Sequence, residues 1–112
     1  MDDMKEKLNE FLEGVDKCRE ILPKQTDLFL TLARNIVGTE GALDKKTKRL
    51  IALALAVSAG CEWCIAYHVD GAFKEGATKE EMAEAGFVSV LMNGGPSIAY
   101  MHTLLKSIED LS

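Results

Sequence analysis

The sequence predicts an all-α fold, a compact bundle of about six helices forming a single domain over residues 1–112. Three observations predict it. Apolar residues recur at three- and four-residue spacing along most of the chain, as they do in helices with one buried side. Prolines and glycines fall at the ends of these stretches, where proline opens a helix and glycine closes one. Alanine, leucine and glutamate are common while aromatics make up only 6%, a balance that favours helix over sheet.

The first helix is expected from about Asp3 to Leu22, with Leu8, Phe11, Leu12, Val15 and Leu22 on its apolar side. Asp3 and Glu6 have the spacing of a capping box. Cys18 shares the face of Phe11 and reads as a core thiol. Pro23 opens the second helix, which shows Leu28, Phe29, Leu32, Ile36 and Val37 on one side and stops at Gly38. Asp44 suits the N-cap of a third helix over about Lys45 to Val57. That helix begins basic and then turns apolar on every side from Leu50 to Val57. A helix apolar all round is buried, and so small a chain offers few neighbours, so a partner subunit is expected to cover part of it. Ser58-Ala59-Gly60 breaks the segment. The fourth helix is expected from about Cys61 to Glu75, ended by Gly76. Thr78 and Glu81 form a capping box for the fifth, which runs to about Met92. Asn93-Gly94-Gly95 reads as a turn and Pro96 as the start of the sixth, with Ile98, Met101, Leu105 and Ile108 inward.

The formal net charge is −5, and the lysines are scattered, which argues against nucleic acid as a partner. The opening MDDMKEKLNE lacks the apolar core of a signal peptide. The longest nearly apolar run, Leu50 to Ala59, is about half of the ~20 residues that span a bilayer. The expectation is a cytoplasmic protein with no membrane partner. Three cysteines, two of them close together, do not resemble a secreted disulfide framework and point to redox or metal chemistry.

Cys61, Cys64 and His68 stand at i, i+3 and i+7. At ~100° per residue they fall within a sector of about 60° on one helix face. Two thiols and an imidazole therefore converge. Cys61 is expected in the first turn, where free backbone N–H groups and the helix dipole lower a thiol pKa. His68 lies one turn beyond Cys64, and an imidazole of ordinary pKa can take a thiol proton. The dipole thus favours Cys61 as the reactive thiolate and the histidine favours Cys64. A C-x-x-C pair can also close a disulfide, with one thiol attacking and the other resolving.

The segment ALAVSAGCEWCIAYHVDGAFKEGATKEEMAEA, with the downstream NGGPSIAYMHTLL, resembles the carboxymuconolactone decarboxylase superfamily. Its C-x-x-C-x-x-x-H pattern resembles the alkylhydroperoxidase-D-like branch. The resemblance runs from about Leu43 to Leu105. It implies an alkylhydroperoxidase-D-like all-α fold that forms homo-oligomers, trimers or hexamers. It implies thiol-dependent peroxidase or disulfide reductase activity, with a hydroperoxide or disulfide as substrate. Such chemistry requires no organic cofactor but does require an external thiol or protein electron donor. The resemblance makes Cys64 the attacking thiol, Cys61 its disulfide partner and His68 part of a proton relay. Two departures stand out. The relay glutamate expected twelve residues before the first cysteine is Arg49 here. A guanidinium there would depress the pKa of His68 and could stabilise a thiolate. Beside Cys64 stands Trp63, which cannot shuttle protons.

Other readings compete with this one. Cys61, Cys64 and His68 could hold zinc with Cys18 or His102, although this is not the usual zinc-knuckle spacing. The thiols could be inert, since buried cysteine is common. His102 sits at the edge of the last helix's apolar face and suits a surface or interface role. Trp63 and Tyr67 could pack or touch substrate. At the level of function, the rivals are a decarboxylase-like lyase, which needs no C-x-x-C pair, and a non-catalytic redox sensor or scaffold.

Overall fold

The computed structural model describes residues 3–112. Among them there are six helices and no strand: α1 Asp3–Ile21, α2 Pro23–Val37, α3 Lys45–Ala59, α4 Glu62–Lys74, α5 Lys79–Asn93 and α6 Gly95–Leu111. The predicted fold class stands, and so do its six elements. The differences lie at helix ends. Asp3 is already helical, so the residue that would cap α1 lies outside the described residues. The α3 helix runs two residues past Val57, to Ala59. A single residue, Gly94, separates α5 from α6 where a three-residue turn was expected. Its φ of 69° explains the economy, because glycine turns the chain there without steric penalty.

Side-chain caps start α3 and α5 where predicted. Asp44 Oδ1 accepts the Thr47 N–H at 2.7 Å and caps α3. Thr78 and Glu81 exchange both bonds of a capping box, at 3.1 and 2.8 Å. Glu81 also pairs with Lys46 at 2.9 Å, which ties the start of α5 to α3.

The core lies between α3, α4, α5 and α6. Leu53 and Val57 from α3 meet Ile65, Val69 and Ala72 from α4, Met82 from α5, and Met101, Leu104 and Ile108 from α6. A chain of hydroxyls pins the far side of this core. Ser58 Oγ lies 2.6 Å from Ser89 Oγ, which lies 2.8 Å from Ser97 Oγ, so α3, α5 and α6 are hydrogen-bonded in series.

The α1–α2 pair is attached differently. The N–H of Met4 donates to the buried Asp110 at 3.1 Å, and Lys106 holds the same carboxylate at 2.8 Å. Along α1 only Met4 is buried, and along α2 no residue is. Cys18 is exposed and free, so the expectation of a core thiol is corrected. Its face of α1 does turn inward at Phe11, but α1 packs on the bundle from one side only and leaves Cys18 to solvent.

Leu53 is fully buried at the centre of the core. Leu53→Ala is expected to lower the unfolding free energy by about 2–5 kcal/mol through lost transfer energy and a residual cavity. Urea denaturation measures it, and a loss well under this range would mean that the site collapses around the smaller residue.

Candidate active site

The site begins with a turn. Gly60 adopts φ 66°, in the left-handed region, and closes α3. Its backbone lies against the Tyr100 ring, where a Cβ would stand 3.0 Å from the nearest ring carbon. Both facts call for glycine. Two residues after the end of α3 the chain enters α4, with Cys61 as N-cap rather than first-turn residue.

Cys61 and Cys64 form a disulfide, with Cα atoms 5.2 Å apart. The Cys61 sulfur also accepts the Cys64 N–H at 3.1 Å, so a sulfur fills the N-cap role usually taken by an oxygen. Cys64 packs against the core cluster. Both sulfurs thus sit at the positive end of α4, and a thiolate at either one meets a favourable dipole.

His68 lies one turn further along α4, as the spacing required. Its Nδ1 is 3.2 Å from Nη1 of Arg49, which reaches across from α3. Burial first, and the neighbouring guanidinium second, lower the His68 pKa from 6.5 to about 4. The imidazole is therefore neutral at physiological pH. The depression expected from Arg49 is present, but desolvation is the larger cause.

Arg49 is held on several sides. Gly71 is buried on α4, three residues beyond His68, and a Cβ there would fall 2.6 Å from both Cζ and Nε of the guanidinium. Arg49 Cζ lies 5.5 Å from the centre of the Tyr67 ring. Tyr67 stacks on Phe11 of α1 at 4.6 Å and meets His68 edge-on at 5.3 Å. The Arg49 Nε is buried and has no hydrogen-bond partner. Neither Phe11 nor Gly71 was singled out as a site residue. The signal for Gly71 was available: an interior helical glycine is unfavourable unless something approaches the backbone.

Trp63 is held by α1. It is half-exposed, donates Nε1–H to Glu10 at 2.9 Å, and carries Lys7 Nζ 4.7 Å from its ring centre. Lys7 also approaches Glu62 at 3.5 Å, so α1 grips both residues between the cysteines. His102 is exposed and lines an open cleft with Glu6, Glu62 and Lys106, apart from the imidazole of His68. Among the described residues no group of three or more His, Cys, Asp or Glu is arranged to hold a metal ion. No helix among them is long and apolar enough to cross a membrane.

The carboxymuconolactone decarboxylase family pattern matches residues 23–106. The chain belongs to this family. Over 85 residues it is 44% identical to the uncharacterised protein 4 of the cox locus in Paracoccus denitrificans, covering 76% of each chain. A carboxymuconolactone decarboxylase family protein from Legionella pneumophila, solved in its apo form, superposes with a TM-score of 0.94 at 38% identity, covering 100% of this chain and 99% of that one. A family member from Thermotoga maritima superposes with a TM-score of 0.82 at 28% identity, covering 94% and 89%. The predicted resemblance and the all-α fold it implied therefore stand.

The buried His68 has a consequence for stability. An unfolded histidine titrates near 6.5 and the folded one near 4, so between these values the unfolded state binds more protons. The stability is fully present above the upper value and falls as pH drops toward the lower one. The change is at most about 3 kcal/mol, reduced by the partial exposure of the ring. Urea denaturation at stepped pH is expected to show this slope in the wild type and a shallower one in His68→Gln. Parallel curves would contradict the assignment.

Proposed function

We propose that the protein is a thiol-dependent oxidoreductase that reduces hydroperoxides or disulfides through its Cys61–Cys64 pair. The observation that carries this reading is the disulfide itself, formed at the N-terminus of α4 with a neutral histidine one turn away. Membership of a family that includes enzymes of this kind supports it. So does the Thermotoga maritima relative, for which involvement in an antioxidative response has been suggested.

The chemistry runs in two halves. The Cys64 thiolate attacks the terminal oxygen of a hydroperoxide, the O–O bond breaks, and the alkoxide leaves and takes a proton, leaving a sulfenic acid on Cys64. The Cys61 thiol then displaces the hydroxyl as water and closes the disulfide. Two equivalents of an external thiol, or one dithiol protein, reopen it and are themselves oxidised to a disulfide. Cys64 is assigned the attack because His68 lies one turn beyond it and because the family resemblance implies it. No organic cofactor enters.

The protein works as a homo-oligomer, a trimer or hexamer. Leu28, Phe29, Leu32 and Ile36 form an exposed apolar face on α2, and Ile51 and Leu55 are exposed on the apolar half of α3. An apolar surface this extensive is characteristic of an interface.

Wild-type protein is expected to consume a hydroperoxide continuously when given a dithiol donor. Cys64→Ser is expected to abolish consumption, and Cys61→Ser to slow it, because the sulfenic acid must then be resolved by the external thiol instead of a neighbouring one. Absence of thiol-dependent turnover in the wild type with any donor would overturn the peroxidase reading.

A further inference from the structure

We propose that Arg49 is a positioning residue that holds His68 as the neutral tautomer protonated on Nε2, so that His68 serves the Cys64 sulfur as a hydrogen-bond donor and not as its base. This inference deepens the dithiol reading and rests on it.

The geometry leaves little freedom. Arginine has only donors and stays charged in proteins. At 3.2 Å from Nη1, the Nδ1 of His68 must therefore be the acceptor and carry no proton. A neutral ring then has its proton on Nε2. The doubly protonated ring is excluded while this bond stands, because both its nitrogens would be donors.

The bond is held in place by its surroundings. The guanidinium lies in a slot that exists because residue 71 has no Cβ, and the Tyr67–Phe11 stack lies beside it. Arg49 would lose this slot if any side chain stood at 71. Gly71 is three residues beyond His68 on α4, so both border the guanidinium from the same helix face.

Side chains on a helix lean toward its N-terminus, which directs His68 over the turn that holds Cys64. With Nδ1 occupied, Nε2–H is what the ring has to offer there. In the reductive half-reaction a donor thiolate attacks Cys61 Sγ and the S–S bond breaks. The electron pair goes to Cys64 Sγ, which leaves as a thiolate and accepts the Nε2–H bond. A second donor thiol attacks the mixed disulfide, releases Cys61, and departs as the oxidised donor. No proton passes through the imidazole. The attacking thiolate of the next cycle is the one released here, held unprotonated by a fixed donor and the α4 dipole.

The direct test is long-range proton–nitrogen NMR on protein labelled with 15N in histidine. The chain has two histidines, and His102→Gln assigns the His68 signals. The expected wild-type spectrum shows Nδ1 unprotonated and Nε2 protonated, in reduced and oxidised protein alike. Arg49→Met and Gly71→Ala are each expected to lose this single-tautomer signature, the second without removing the charge. Arg49→Lys, which keeps one donor, retains it in part. In a Cys61→Ser background, Arg49→Met is expected to slow alkylation of Cys64 near neutral pH by about tenfold or more, as expected for losing a charge-assisted hydrogen bond. A proton on Nδ1 in the wild type overturns the proposal. So does an unchanged signature in both Arg49→Met and Gly71→Ala. If either variant fails to fold, the wild-type and Arg49→Lys spectra still decide. The tautomer can be read without turnover, so an inactive protein with the expected spectrum would count against the peroxidase reading and not against this one.

Discussion

The packing of α3 against α4 through the Gly60 turn is the constraint on which the rest of the site depends. The left-handed turn lets two helices meet with only Gly60 and Cys61 between them. It places Cys61 at the N-cap of α4, which puts both sulfurs at the positive end of a helix. It also brings the basic first half of α3 alongside α4, so that Arg49 reaches His68. Leu53, Val57, Ile65 and Val69 lock the same two helices together from the core side. The disulfide and the imidazole–guanidinium pair are thus two consequences of one helical hairpin.

The electrostatics of the site run against the simplest relay. A carboxylate beside a histidine strengthens it as a base, whereas a guanidinium weakens it. Here burial and Arg49 act in the same direction, and the ring stays neutral to about pH 4. A neutral, partly buried imidazole with one nitrogen already bonded is a poor proton acceptor for a thiol. It is a good fixed dipole for a thiolate, and the helix terminus adds to that effect. The site is therefore arranged to stabilise negative charge on sulfur.

Much of this was legible in the sequence. Asp44, Thr78, Pro23 and Gly60 mark helix ends because capping and φ preferences act within a few residues. The shared face of Cys61, Cys64 and His68 follows from helical periodicity alone. The position of Arg49 near His68 was legible only through the family resemblance, because no local rule links residues on different helices. The Phe11–Tyr67 stack and the Gly71 slot were not read at all, since both are tertiary contacts between elements. Cys18 misled for a related reason. Its spacing from Phe11 reports a shared helix face, but not where along α1 the bundle stops covering that face.

The proposed chemistry requires a reversible dithiol–disulfide couple between Cys61 and Cys64. Equilibration in thiol–disulfide buffers of graded poise, quenched by alkylation and read by mass, measures it most directly. The predicted result is one two-electron transition in which Cys61 and Cys64 lose reactivity together and recover together, while exposed Cys18 is alkylated throughout. Cys61 and Cys64 that remain alkylatable at every oxidising poise, or a disulfide that instead recruits Cys18, would contradict it.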